Sequence, residues 1–216
     1  MDLLLIRHAE PVRIGPGEGG GGPVDPPLTE RGREEAERLA AWLALEPLDA
    51  VISSPLRRAR ETAQPLAHAY GLEVEVHDGL VEYDARADHY IPAEELKRTG
   101  DERWHAMLEG RWEEFGGEPP ERFRARIVPT IDELIHRFAG ARVAVVCHGG
   151  VINVYLAAML GLDRHLWFEP GYTSISRVIA SRSGPRSLAT LNETSHLVAV
   201  RDPVAAPPPL PPGPTG

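Results

Sequence analysis

Leu3-Leu4-Leu5-Ile6-Arg7-His8-Ala9-Glu10 is the stretch that decides the fold. Four branched aliphatic residues in a row, bounded by charge, read as a buried strand of a parallel sheet. A strand covered on both faces has no need of polar alternation. Arg7 and His8 therefore emerge at the carboxyl end of a strand, the edge at which open α/β sheets bind ligands. Val143-Ala144-Val145-Val146-Cys147 is a second run of this kind, and it ends at His148-Gly149-Gly150. Two strands that each deliver a histidine to one sheet edge predict a single site holding two imidazoles.

Between these runs the pattern alternates. Gly15 to Pro27 is too rich in Gly and Pro for a helix or a central strand, and is expected to be a mobile loop bordering the site. Thr29 has the chemistry of an N-cap, with Ala36, Leu39, Ala40 and Leu43 at helical spacing behind it. Val51-Ile52 reads as a short strand. Ser53-Ser54-Pro55 should open a helix with Ala59, Thr62, Ala63, Leu66 and Ala67 on one face. Leu72 to Val76 reads as another strand, with Val74 and Val76 on one face. From residue 78 to 118 the periodicity blurs, which suggests a cap-like insertion of one or two helices over the sheet edge. Pro120 to Phe138 is a long amphipathic helix, with Phe123, Ile127, Ile131, Leu134, Ile135 and Phe138 as its core face. A helix from Val151 to Leu160 and strands at Ile175–Ser181 and Leu188–Leu191 close the pattern. Strand-helix repetition of this kind predicts an α/β fold, a three-layer α/β/α sandwich with a mostly parallel central sheet, in one domain over residues 1–202. Residues 203–216 read as a disordered Pro-rich tail.

Composition narrows the function. With 216 residues, 42% of them apolar, the chain can bury a sizeable core. Its net charge of −9 argues against nucleic acid or anionic membrane as a partner, because the far field repels phosphate backbones. An anion site must then be a local concentration of positive charge. The single cysteine, Cys147, rules out an internal disulfide and fits a reducing cytoplasm. Neither a signal peptide nor a membrane-spanning run is expected.

Four segments carry the chemistry: Arg7-His8, Ser54-Pro55-Leu56-Arg57-Arg58-Ala59-Arg60-Glu61-Thr62, Leu80-Val81-Glu82-Tyr83 and Cys147-His148-Gly149-Gly150. With Leu28-Thr29-Glu30-Arg31-Gly32 added, the set resembles the histidine phosphatase superfamily, the phosphoglycerate-mutase-like group. Five motifs follow in that family's order, over residues 3 to about 197, and Asn192-Glu193-Thr194-Ser195-His196-Leu197 fits its closing segment. The resemblance implies that His8 is the nucleophile of a phosphohistidine intermediate and that Arg7, Arg58 and His148 bind the phosphoryl oxygens. It implies that Glu82 protonates the leaving alcohol. Independent physics agrees. Phosphoryl transfer needs charge neutralised on three equatorial oxygens, and guanidinium forks are permanent bidentate donors. The same cations disfavour protonation of His8, which must be neutral to attack. Gly149 and Gly150 open a helix whose N–H groups suit an anion. Among nearby carboxylates, Asp78, Asp84 and Asp88 compete with Glu82, and Arg57 competes with Arg58; the Leu-x-Arg-Ala spacing selects Arg58.

Two rival chemistries lack their residues. A Cys-x5-Arg phosphatase would need Arg where Asn153 stands, and no His-x-His or His-Glu-x-x-His spacing suggests a metal. His68, His77, His105, His136 and His165 read as surface residues without partners. Three departures from the family pattern stand out. Ile14 replaces a common phosphate-binding Asn, for which Arg13 or a glycine-loop amide would have to substitute. Tyr83-Asp84-Ala85-Arg86-Ala87 replaces the usual wall after the acid, and Tyr83-Asp84 and Asp88-His89-Tyr90 read as pocket lining or as a plain surface loop. Gly150-Val151-Ile152-Asn153 lacks the mutase sequence. The expected activity is metal- and cofactor-independent hydrolysis of a small phosphate ester. A phosphoglycerate mutase and a non-catalytic phosphate- or phosphoprotein-binding domain are the alternatives.

Overall fold

Residues 2–7 form the central strand β1 (Asp2–Arg7) because Leu3, Leu4, Leu5 and Ile6 are covered on both faces and wholly buried. The computed structural model describes residues 1–181 and 184–198; the Pro-rich tail at 203–216 lies outside them. β1 is followed by α1 (Glu30–Leu43), β2 (Ala50–Ser53), α2 (Arg57–Ala69) and β3 (Val74–Val76). The insertion holds two short helices, α3 (Ala93–Thr99) and α4 (Glu102–Leu108), flanked by single 3-10 turns at Asp78–Leu80 and Trp112–Phe115. Then come α5 (Pro120–Arg137), β4 (Arg142–Cys147), α6 (Gly149–Leu160), β5 (Ile175–Ala180) and β6 (Arg186–Glu193).

The six strands lie in the order β3-β2-β4-β1-β5-β6. β3, β2, β4 and β1 are parallel, β5 is antiparallel to β1, and β6 is antiparallel to β5. Alternation along β1 splits the core into two layers. Leu4 and Ile6 pack with Leu39, Ala63 and Leu66 of α1 and α2. Leu3 and Leu5 pack with Ile127, Ile131, Val151 and Tyr155 of α5 and α6. The expected three-layer sandwich with a mostly parallel sheet is what forms. The helix after β1 covers one face and the helix after β4 the other, so the crevice between adjacent β1 and β4 is a topological switch point. His8 and His148 leave the sheet there, with the His8 amide donating to the Cys147 carbonyl at 2.9 Å.

Some boundaries differ from the sequence reading. α2 starts at Arg57, not at Ser53-Ser54-Pro55, and its first amide is capped from outside by the Asp25 carboxylate at 2.8 and 2.9 Å. The glycine-rich loop thus supplies a cap that sequence neighbours do not. β3 is three residues long and lies at the sheet edge, leaving Val76 exposed. α6 begins at Gly149, two residues earlier than expected, and β6 is longer than Leu188–Leu191 at both ends. Thr29 does cap α1, accepting from the Gly32 amide at 2.9 Å. Gly32 is required because a Cβ there would meet the Glu10 backbone, just beyond His8.

Candidate active site

The switch-point crevice opens into a cavity of about 310 Å³ lined by Arg7, His8, Arg58, Glu82 and Gly149. His148 lies beneath it, wholly buried, with its ring centroid 5.2 Å from that of His8. All five predicted chemistry-bearing side chains are thus gathered from four segments.

His8 is 2% exposed, and its Nδ1 faces the Ala9 carbonyl at 2.8 Å. A carbonyl only accepts, so Nδ1 carries the proton and the Nε2 lone pair is left for attack. Burial, then Arg58 and Arg7, hold its pKa well below the ordinary imidazole value. His148 is held low by burial, Arg58 and His8, and its Nε2 lies 2.7 Å from the Ser54 hydroxyl. Both imidazoles are therefore neutral. If Ser54 donates to Nε2, His148 Nδ1 carries a proton to offer an anion. Thr62 fixes the approach: it accepts from the Ala9 amide at 2.9 Å and donates to the Arg58 carbonyl at 2.7 Å. One buried hydroxyl thereby ties the strand end that carries His8 to the helix that carries Arg58.

Arg7 donates through Nη1 to the Pro170 carbonyl at 2.6 Å and lies 4.2 Å over the Tyr172 ring. Its Nη1 also pairs with Glu94 from α3. Arg58 stacks 4.8 Å from the Tyr90 ring centroid and meets Asp84 at 3.4 Å. Arg7 Nε, Arg58 Nε and His148 Nδ1 are buried and make no hydrogen bond. Buried polar groups without partners are costly, and the two guanidinium N–H groups among these suit an anion.

Glu82 is 7% exposed. Burial, followed by the charge of Asp84, pushes its pKa up to about 7, against the amides of Gly150 and Tyr83 and the Arg58 cation. Asp78 and Asp88 are exposed and Asp84 is half-buried, so Glu82 is the carboxyl whose surroundings favour holding a proton. The Gly150 amide donates to Glu82 Oε2 at 2.8 Å. That corrects the expectation that both helix-opening amides face the anion: Gly150 orients the acid, and only Gly149 lines the cavity with its amide uncommitted. A Cβ on Gly150 would collide with the Glu82 carboxylate and the Tyr83 ring. Gly150→Ala is accordingly expected to displace Glu82 and lower kcat about 10- to 100-fold with the fold retained, as steady-state assay and circular dichroism would establish.

Arg13 does not replace the Asn expected at position 14. It pairs with Glu95 at 3.0 Å, while Ile14 bridges to the Tyr90 backbone. Tyr83 is no surface-loop residue either; it is buried and stacks on Trp112 with ring centroids 4.3 Å apart. Three of the five supposedly partnerless histidines have partners. His77 accepts from the Gly79 amide at 3.1 Å, His136 donates to the Asp132 carbonyl at 2.7 Å, and His165 lies 3.4 Å from Glu121. His68 and His105 are exposed as expected. Cys147 is fully buried, and burial pushes its thiol pKa up, away from thiolate chemistry.

Several supporting residues were missed. His196 of the closing segment meets the Thr173 hydroxyl at 2.9 Å and so props the 170–174 loop beneath Arg7. Asn153 and Glu94 carry no sequence signal for their parts, since their partners are backbone groups or residues far along the chain. Among the described residues, no group of three or more His, Cys, Asp or Glu is placed to hold a metal ion. No helix there is long and apolar enough to cross a membrane.

Comparison with known proteins agrees with this geometry. The sequence profile of the histidine phosphatase superfamily (branch 1) matches residues 3–194. The chain is 32% identical over 198 residues to phosphoserine phosphatase 1 of Hydrogenobacter thermophilus, covering 90% of this chain and 93% of that protein. A histidine-to-alanine variant of the Entamoeba histolytica phosphoserine phosphatase, solved with phosphoserine, superposes with a TM-score of 0.72 at 26% identity, covering 91% and 99% of the two chains. A mycobacterial glucosyl-3-phosphoglycerate phosphatase, solved with VO3, gives 0.70 at 25% identity, covering 89% and 99%.

Proposed function

Because this chain belongs to the histidine phosphatase superfamily (branch 1), we propose that it hydrolyses a small phosphate monoester through phospho-His8, without a metal. The observation that carries this reading is the one cavity lined by Arg7, His8, Arg58 and Glu82, with Arg7 Nε, Arg58 Nε and His148 Nδ1 buried and without hydrogen-bond partners. An arriving phosphate exchanges with Glu94 for Arg7 and takes up the unused N–H groups. His8 Nε2 then bonds to phosphorus as the ester P–O bond breaks, and Glu82 delivers its proton to the departing alcohol oxygen. Deprotonated Glu82 next takes a proton from water as that water attacks phosphorus. The N–P bond breaks, returning its electron pair to His8 and releasing phosphate. Gly150-Val151-Ile152-Asn153 lacks the mutase pattern, which favours hydrolysis over isomerisation. A cytoplasmic location is part of the same reading, with Cys147 buried and unpaired.

The test is release of 4-nitrophenol from 4-nitrophenyl phosphate in EDTA. Sustained turnover is expected. Loss of activity in EDTA, restored by a divalent cation, would contradict the metal-free route. The pH profile follows from the pKa values. Glu82 acts protonated toward a basic leaving group, so kcat/KM for an alkyl phosphate is expected to fall above pH about 7, by roughly tenfold per unit. His8 acts neutral, and since its pKa is depressed the acid limb should lie well below the ordinary imidazole value. A profile still rising through pH 9 would contradict the assignment of Glu82.

A further inference from the structure

The cavity extends well beyond the phosphate end, and its outer wall is aromatic and aliphatic: Leu96, Trp104, Met107, Phe115, Trp167 and Phe168. This wall is built, not incidental. Asn153 Oδ1 accepts from the amides of Trp167 and Phe168 at 2.9 and 3.2 Å, and Asn153 Nδ2 donates to the Phe168 and Gly149 carbonyls at 3.0 Å each. The Trp167 indole N–H is satisfied by the Asn153 carbonyl at 3.2 Å. Trp167 and Phe168 therefore keep fixed positions and offer the cavity hydrocarbon surface.

Of the polar side chains near this wall, three are engaged with protein partners, while Arg164 lies exposed at the cavity mouth. Arg103 is held by Asp101 in two side-chain hydrogen bonds, at 2.8 and 2.6 Å. Glu169 is held by Lys97 at 2.5 Å, and His89 by Asp88 at 2.8 Å. A polyhydroxyl or amino-acid body seated against Leu96, Met107, Phe115 and Phe168 would lose water without gaining hydrogen bonds from them. An apolar body would gain from the same burial.

Resting on the phosphatase reading above, we propose that the preferred substrate is the phosphomonoester of an aromatic or extended aliphatic alcohol. Phosphoserine, phosphoglycerate and sugar phosphates are then poor substrates. The related proteins act on or bind such polar esters, so the proposal separates this chain from them.

The test compares kcat/KM for esters of primary alcohols, so that leaving-group acidity does not decide the ranking. 3-Phenylpropyl phosphate and hexyl phosphate are set against ethyl phosphate, glycerol 3-phosphate and O-phosphoserine. The two apolar esters are expected to exceed the other three by about tenfold or more. Trp104→Ala and Phe168→Ala should each pull the 3-phenylpropyl-to-ethyl ratio down toward one; a ratio is insensitive to the fraction of enzyme folded. Equal or higher kcat/KM for O-phosphoserine or glycerol 3-phosphate would overturn the proposal while leaving the phosphatase reading intact. Unchanged ratios in both variants would also overturn it. If the wild-type protein hydrolyses none of these esters and no 4-nitrophenyl phosphate, the phosphatase reading falls and this proposal with it.

Discussion

His8→Ala is expected to lower kcat about 10⁴-fold or more while phosphate-ester binding survives. The reasoning is one of division of labour. In the proposed mechanism Arg7, Arg58 and His148 receive the phosphoryl group, and none of them is held in place by the His8 imidazole. Arg7 rests on the Pro170 carbonyl and the Tyr172 ring, and Arg58 is fixed by α2 and Tyr90. Removing the imidazole deletes the atom that must bond to phosphorus, so water would have to attack directly, unaided by a positioned base. Burst kinetics and steady-state rates with 4-nitrophenyl phosphate measure the loss, and calorimetric titration with the same ester measures binding. A variant retaining more than about 1% of kcat would mean that another group attacks phosphorus.

Glu82→Gln is the second large effect. Gln is isosteric, and its carbonyl oxygen can still accept from the Gly150 amide, at the loss of the weaker bond from the Tyr83 amide, so circular dichroism of the variant should match the wild type. What disappears is the transferable proton. Loss of a general acid costs about 10²- to 10⁴-fold when the leaving group is a basic alkoxide. An alkyl phosphate should therefore suffer the full loss. 4-Nitrophenyl phosphate should suffer much less, because nitrophenolate departs without a proton. The alkaline limb near pH 7 should vanish in the variant. Equal losses for the alkyl and aryl esters would make Glu82 a structural carboxylate, and Asp84 would then need examination as the acid.

The sheet and its site-bearing edge were legible because their signals are local. An apolar run of four followed by charge marks β1, the run Val143–Cys147 marks β4, and helical stripes mark α1, α2 and α5. These suffice to bring His8 and His148 together without any knowledge of the cap. The insertion was not legible, since its order depends on long-range packing. Tyr83, Trp112 and Phe123 form one stacked cluster from positions with no common period. The same reason hides Asn153, which looks like an ordinary helical polar residue but organises Trp167 and Phe168 fourteen and fifteen residues away. Asp25 was hidden in the glycine-rich loop for a related reason: it caps α2 from 32 residues upstream. Even Gly150, read as an anion-binding amide, serves a carboxyl 68 positions earlier in the chain. Side chains and amides that find partners across the chain leave no periodic trace.

Glu94 adds a consequence for binding. Arg7, proposed to bind phosphate, is paired with a carboxylate on α3. On the proposed mechanism a phosphate ester would displace Glu94 from Arg7, and its dianion would compete through Arg58 and His148 together with Arg7.

The covalent intermediate on His8 is tested most directly by trapping it. The protein is mixed with a ³²P-labelled ester for milliseconds and quenched in alkali, where an N–P bond survives. Label approaching one phosphoryl group per chain is expected on the peptide that contains His8, released by acid and absent from His8→Ala. Label that survives acid, label on another residue, or none at all in a protein that is turning over would contradict the account.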